Sequence, residues 1–252
     1  MSPRRWSLDL LIQGYPGTTR CHGGLGWSTV AMLRSADEVV LVDTGGYMQR
    51  DLLTARLAEH GVQRDQVTAV LLTHCHSDHM LNWPLFPRAR VFVSGADLDW
   101  ALAQPIGFWF IPEFHVAKLA DRAGVERVSD GDEIFAGVRV LATPGHTPGH
   151  VAYVAATGSG PVVFSGDAAK NLAELATGTV DMTLDAAASA RSAARLRSLA
   201  ADDDATRVVC GHDRVLSVVD NEVVARTSLR AAVVATFTAD PAAETVFDLT
   251  PP

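Results

Sequence analysis

At 252 residues, 48% hydrophobic and 20% charged, the chain can bury a large core as one domain over 1–252 and is no disordered tail. A net charge of -8, with no basic run beyond Arg4-Arg5, argues against a nucleic-acid partner, because phosphate binding needs clustered cations. Too few apolar residues between Met1 and Leu11 for a signal peptide, no apolar run of about 18 residues, and only three cysteines (Cys21, Cys75, Cys210) predict a cytoplasmic protein with no membrane partner.

In chain order, strands are expected near 7–13, 26–33 and 38–43. A helix follows near 49–61, with a stripe of Leu52, Leu53, Leu57 and Ala58 ended by Gly61. The run 67–72 reads as a buried strand, followed by strands near 90–94 and 125–128. Between and around these two lie Trp83, Phe86, Trp100, Phe108, Trp109, Phe110 and Phe114, read either as core or, within the Pro-bounded loop 105–112, as an apolar lid or acyl-chain wall. Strands near 138–142, 151–156, 161–165 and 206–210 come next. An Ala-rich helix runs from Leu184 to Ala201 with Thr183 as its cap, and a strand-like stretch covers 231–237. Strands interleaved with helices, and hairpin-like pairs among them, suggest an α/β (α+β) chain with two sheets sandwiched between helix layers.

The most informative stretch is His74-Cys75-His76-Ser77-Asp78-His79, directly after the buried run. In extended chain, alternation points His74, His76 and Asp78 one way, and a turn at Asp78-His79 aims the last imidazole back toward them. Imidazole and carboxylate together suit zinc, iron or manganese. Three more donors follow strand-like runs: His146 in a Pro- and Gly-rich loop that also holds His150, Asp167 after Gly166, and His212 after Gly211. A small residue before each lets the backbone approach closely. Cys75 should point away from the donors, into packing.

This pattern resembles the metallo-β-lactamase fold superfamily over roughly residues 25 to 215, with every motif position matched. The resemblance implies a four-layer αββα sandwich and two divalent metal ions, zinc foremost with iron or manganese as alternatives. It places His74, His76 and His146 on one ion and Asp78, His79 and His212 on the other, with Asp167 bridging. Asp43, in the Asp43-Thr44-Gly45 turn, is expected to accept a hydrogen bond from a ligand or loop amide rather than touch metal. His150 reads either as a structural support of the ligands or as a substrate contact. His60 and His115 have no partner pattern, and His22 is expected near the site mouth.

The implied chemistry is hydrolysis of a lactone, ester or thioester by a hydroxide bridging the two ions, with Asp78 orienting it and passing a proton to the leaving group. Length and the Gly-Asp-Ala and Gly-His-Asp segments look most like N-acyl-homoserine lactonases. The long helical tail of glyoxalase-type thioesterases has no room in the roughly 40 residues after His212. Lys170 stands where those lactonases have tyrosine. It reads as a binder of a substrate carboxylate or as a solvated lysine at a helix start. The expected partner is a small molecule with an apolar or acyl part, contacting Lys170, Phe108, Trp109 and Phe110, and a homodimer is left open. A β-lactam hydrolase is the alternative. A flavodiiron-like redox protein fits less well, since glutamate would be expected at His76 and a flavin domain has no room.

Overall fold

The computed structural model describes residues 6–20 and 23–251, so the expectations for Arg4-Arg5, Cys21 and His22 lie outside the described residues. One sheet takes β1 (Ser7–Ile12) and, after a small hairpin of β2 (Thr18–Thr19) with β3 (Gly23–Gly24), β4 (Val30–Arg34), β5 (Val39–Val42), β6 (Ala69–Leu71), β7 (Arg90–Ser94) and β8 (Val125–Val128), side by side in that order. Pairing is antiparallel from β1 to β5 and parallel from β5 to β8. The second sheet runs from β9 (Glu133–Phe135) through β10 (Val138–Ala142), β11 (Val151–Thr157), β12 (Gly160–Gly166), β13 (Arg207–Cys210) and β14 (Val215–Val219) to β15 (Glu222–Ala225), with only β12–β13 parallel. A separate hairpin pairs β16 (Ala232–Thr236) with β17 (Glu244–Asp248).

Helices α1 (Arg50–Glu59), α2 (Ser77–Met80), α3 (Gly95–Leu102) and α4 (Glu113–Ala120) belong to the first half, α5 (Leu172–Thr177) and α6 (Ala186–Ala201) to the second. Three buried apolar layers follow from strand alternation. Val70 and Leu72 of one parity face Leu53, Leu57, Leu98 and Leu119 of the outer helices, while Ala69 and Leu71 face Tyr153, Phe164 and Val209 of the other sheet. Leu175, Leu196 and Ala200 cover the far side of the second sheet against Val163, Val208 and Leu216. This is the expected αββα sandwich, and a strand covered on both faces explains why every residue from Ala69 to Leu72 is apolar.

Local differences have local causes. The strand expected over 26–33 begins only at Val30, because Trp27 turns off to bridge Tyr15, whose ring stacks on it at 4.9 Å. Of the α1 stripe only Leu53 and Leu57 are buried; Leu52 and Ala58 face solvent. The cap of α6 is Asp185, whose carboxylate accepts from the Ala188 amide at 2.9 Å, while Thr183 bonds the Ser189 hydroxyl instead. Strands β2, β3, β9, β14, β15 and β17 were not expected. Among the described residues no helix is long and apolar enough to cross a membrane.

The segments following β5, β6, β10, β12 and β13 meet at one edge of the sandwich. There the Val151 amide donates to the Thr73 carbonyl at 3.0 Å and the Thr29 amide to the Gly211 carbonyl at 2.7 Å, tying the two sheets together.

Candidate metal centre

Beyond β6 the chain bends at Thr73 before an extended His76 leads into the next turn. The bend reverses the parity of β6, so Cys75 joins Val70 and Leu72 in the helix-side core, fully buried, while His74 and His76 turn the other way. The alternation stops there. Asp78 and His79 are brought round by the single turn of α2 rather than by continued extension.

Two trios form. His74, His76 and His146 lie with ring centroids 4.6 to 4.9 Å apart, and His146 Nε2 is 3.0 Å from His76 Nδ1. Asp78 Oδ2 is 3.5 Å from His79 Nε2 and 3.3 Å from His212 Nε2. Asp167 faces both. Its Oδ1 is 3.2 Å from His79 Nε2 and 3.3 Å from His212 Nε2, and its Oδ2 is 3.3 Å from His146 Nε2. Within each trio the candidate ligand atoms lie within 4.8 Å of one another, as they do in a third grouping of His74, His79 and Asp167.

The hydrogen bonds behind the rings leave lone pairs pointing inward. Asp43 accepts from the Thr73 amide through Oδ1 and from the Thr73 hydroxyl and His79 Nδ1 through Oδ2, each at 2.8 Å. With its one proton given to Asp43, the Thr73 hydroxyl must accept from His74 Nδ1, 3.1 Å away. Each imidazole, when neutral, then carries its proton on Nδ1, and the Nε2 atoms of His74 and His79 are buried with no hydrogen-bond partner. Asp167 Oδ1 and His76 Nε2 are likewise buried without one. Buried polar atoms are almost always satisfied. A cluster of unpartnered imidazole nitrogens beside a carboxylate fits divalent cations, with nitrogen and oxygen donors of the kind zinc accepts.

The electrostatics divide the site. Burial, reinforced by the neighbouring imidazoles, holds His74 well below the ordinary histidine range. Burial and then His146 bring His76 down to about 3, and burial brings His146 down to about 4. On the other side burial opposes a charge on His212, yet Asp167 and Asp78 push it up to about 9. His79 is raised in the same way by Asp78 and Asp167 against burial. Burial works against ionised Asp78 too, but His79 and His212 hold its carboxyl below the usual range. One trio is thus three neutral lone-pair donors, and the other is charge-balanced by carboxylates.

Several supporting residues escaped the sequence. Asp97, fully buried at the start of α3, accepts from the Cys75 amide at 2.7 Å and the Thr147 hydroxyl at 2.5 Å, clamping the His74–His76 segment to the His146 loop. Thr73 orients His74 as described. An isolated Asp or Thr carries no spacing signal, so nothing in the sequence singled them out. The close approaches do have a signal in glycine: a Cβ on Gly211 would overlap Asp167 Oδ1, and one on Gly149 would overlap the backbone of Asp97. His150 is a support rather than a contact. Its Nε2 accepts from the Asp167 amide at 3.0 Å while Nδ1 pairs with the Thr143 hydroxyl at 2.8 Å.

A cleft of about 350 Å³ opens over the trios, lined by His76, Asp78, His146, Asp167 and His212, by Pro16, Gly17, Thr18, Gly24 and Gly26, and by Phe110, Lys170, Glu174 and Met182. The aromatic stretch divides. Trp83 and Phe86 are core. Trp109 stands with its ring 5.4 Å from His76 but is not among the residues lining the cleft, whereas half-exposed Phe110, 6.0 Å from the same ring, is. Phe108 corrects the expectation: it packs edge-on against Trp100 and the helix-side core and does not line the cleft. Lys170 is not a solvated lysine. Its ammonium donates to the Asp181 carbonyl at 2.6 Å and pairs with Glu174 Oε1 at 2.9 Å. Of the other histidines, His60 lies 3.7 Å from Asp9 and His115 sits on α4, away from the trios.

The profile of the metallo-beta-lactamase superfamily matches residues 23–212. The chain belongs to that superfamily. Over 223 residues it is 32% identical to metallo-beta-lactamase domain-containing protein 1 of Rattus norvegicus, covering 88% of this chain and 77% of the rat protein. With the Xenopus laevis protein of the same name, identity is 42% over 129 residues, so the match spans 51% of this chain and about half (48%) of the frog protein. A hydroxyacylglutathione hydrolase of Cupriavidus metallidurans is 33% identical over 167 residues, 62% of this chain and 53% of that protein. Among solved structures, a dizinc quorum-quenching lactonase holding the product N-hexanoyl-L-homoserine superposes with a TM-score of 0.67 at 17% identity, covering 80% of each chain, which is likeness of fold.

Proposed function

We propose that this protein is a dinuclear metal-dependent hydrolase that cleaves a lactone, ester or thioester. The observation that carries the reading is Asp167, one carboxylate with Oδ1 toward His79 and His212 and Oδ2 toward His146. His74, His76 and His146 would hold one divalent ion, Asp78, His79 and His212 the other, and Asp167 both. Zinc is the first choice for this donor set, with iron or manganese as alternatives. Such ions supply a polarised carbonyl and water activated at neutral pH, which removes any need for a protein nucleophile.

The chain's own groups then do the positioning. Asp78 is the one carboxylate of the set that is substantially exposed, with 35% of its side chain accessible at the cleft floor, against 6% for Asp167. It is the group able to meet substrate and carry a proton to the leaving atom. Its backbone is held by the Ser28 hydroxyl, which donates to the Asp78 carbonyl. Trp109 and Phe110 form an apolar flank beside His76 and suit an acyl chain. The relatives lend support, since one bears the name hydroxyacylglutathione hydrolase and a structural neighbour that of a lactonase.

The test is elemental analysis of metal-supplemented protein together with a panel of lactones, thioesters, carboxyl esters, β-lactams and phosphodiesters. Stoichiometric transition metal and turnover of a carboxylic acid derivative are expected, abolished by chelation and reduced by orders of magnitude in Asp78→Ala and His212→Ala. No bound metal, or activity confined to phosphodiesters, overturns the proposal.

A further inference from the structure

Lys170 is the only lysine or arginine among the described residues lining the cleft, and it is already engaged. Glu174, one turn along, is 5% exposed and lies under it. Its Oε1 is 2.9 Å from the Lys170 ammonium and accepts from the Asp181 amide at 3.0 Å, while Oε2 accepts from the Lys170 amide at 2.7 Å. The ammonium also donates to the Asp181 carbonyl at 2.6 Å. Two of its three protons are therefore committed, and its charge is offset by a carboxylate fixed from three sides. Asp181 lines the cleft as well, so the group around Lys170 carries one cation against two anions. A free carboxylate on the substrate would meet Glu174 and Asp181 as well as Lys170. A neutral carbonyl or hydroxyl needs only the third Lys170 proton.

From this arrangement we infer that the cleft selects substrates whose distal part is uncharged, with Lys170 serving as a neutralised hydrogen-bond donor and Glu174 as the residue that rejects carboxylates. The inference rests on the hydrolase reading above and narrows it to neutral acyl compounds over acidic ones. One effective charge contact near a protein surface is worth about 1.4 kcal/mol, or about tenfold in affinity.

The experiment uses metal-loaded enzyme and matched p-nitrophenyl esters, the hexanoate and the hemiadipate, which differ in a terminal methyl against a carboxylate. The neutral ester is expected to be preferred by about tenfold or more in kcat/KM, expressed mainly in KM. In Glu174→Gln the preference should shrink about tenfold, because Lys170 is freed. In the double variant Lys170→Met with Glu174→Gln it should return to within about threefold of the starting value, because a neutral pair replaces a neutral pair. Equal or better use of the hemiadipate by the unmodified enzyme overturns the inference. So does a loss of hemiadipate binding confined to variants lacking Lys170, which would make the lysine a carboxylate anchor. Calorimetric binding of the matching non-hydrolysable methyl ketones gives the same comparison without turnover. Selective binding of the neutral ketone with no turnover of either ester or of any lactone or thioester in the panel would refute the hydrolase reading and leave the charge selection standing.

Discussion

Asp43→Asn isolates the relay that aims two of the ligands. Asp43 sits at a φ of 57°, a left-handed conformation that asparagine tolerates as well as aspartate does, so the substitution leaves the backbone unstrained. Asparagine has one oxygen where Asp43 has two. That oxygen must stay opposite the Thr73 amide, 2.8 Å away, because a backbone N–H cannot become an acceptor. The new NH₂ then faces the Thr73 hydroxyl and His79 Nδ1, each also at 2.8 Å. His79 can relieve the clash of donors only by moving its proton to Nε2, the atom that faces Asp78 and Asp167. A lost supporting hydrogen bond of this kind lowers metal affinity by roughly 10- to 100-fold, or about 1.4 to 2.8 kcal/mol. Competition of the metal-supplemented variant against a chelator of known affinity measures it, with circular dichroism as the check on folding. A folded Asp43→Asn protein that retains metal within about threefold of the parent would refute the tautomer argument.

The metal-free protein should be most stable near pH 6.5. His76 and His146 are held near 3 and 4 against about 6.5 in the unfolded chain, so the unfolded state takes up protons first as pH falls and stability declines. His212, raised to about 9, contributes stability that is complete below about pH 6.5 and lost as pH rises through 9. At 1.36 kcal/mol per pH unit, His146 and His212 each account for about 3 kcal/mol across their windows. Urea midpoints in chelator from about pH 4 to 9.5 should therefore describe a dome, and a monotonic trend contradicts the assignment. Gly211→Ala should lower stability by about 1 to 3 kcal/mol and weaken metal binding, since the new methyl overlaps Asp167 Oδ1; unchanged melting and metal content would count against the close-approach argument. Asp97→Asn should cost about 1 to 3 kcal/mol by leaving a donor facing the Cys75 amide or the Thr147 hydroxyl, read by urea denaturation, and a neutral result would show that the clamp between the two ligand loops is dispensable.

Much of the site was legible because its donors are sequence-local or flanked by punctuation. Six consecutive residues hold four of the seven converging side chains, and His146, Asp167 and His212 each follow a glycine at the end of an apolar run. The two-sheet sandwich was legible for a related reason: strands interleaved with helices, and a run near 67–72 apolar on both parities, call for cover on both faces of the sheet. The expected strand at 26–33 starts only at Val30 because a Tyr15–Trp27 stack, distant in the pattern, pulls the chain aside before it.

Residue type and spacing, by themselves, determined that imidazoles and carboxylates would gather at strand ends in a two-sheet sandwich. Only the tertiary structure decided which neighbours tune them. That Asp43 sets two tautomers across 30 or more residues, that buried Asp97 joins two loops, that Phe108 turns to Trp100 while Phe110 reaches the cleft, and that Lys170 is spoken for by Glu174 are all facts of packing. Hydrogen bonds and burial between distant segments depend on where the backbone brings them, and no local period in the chain encodes that meeting.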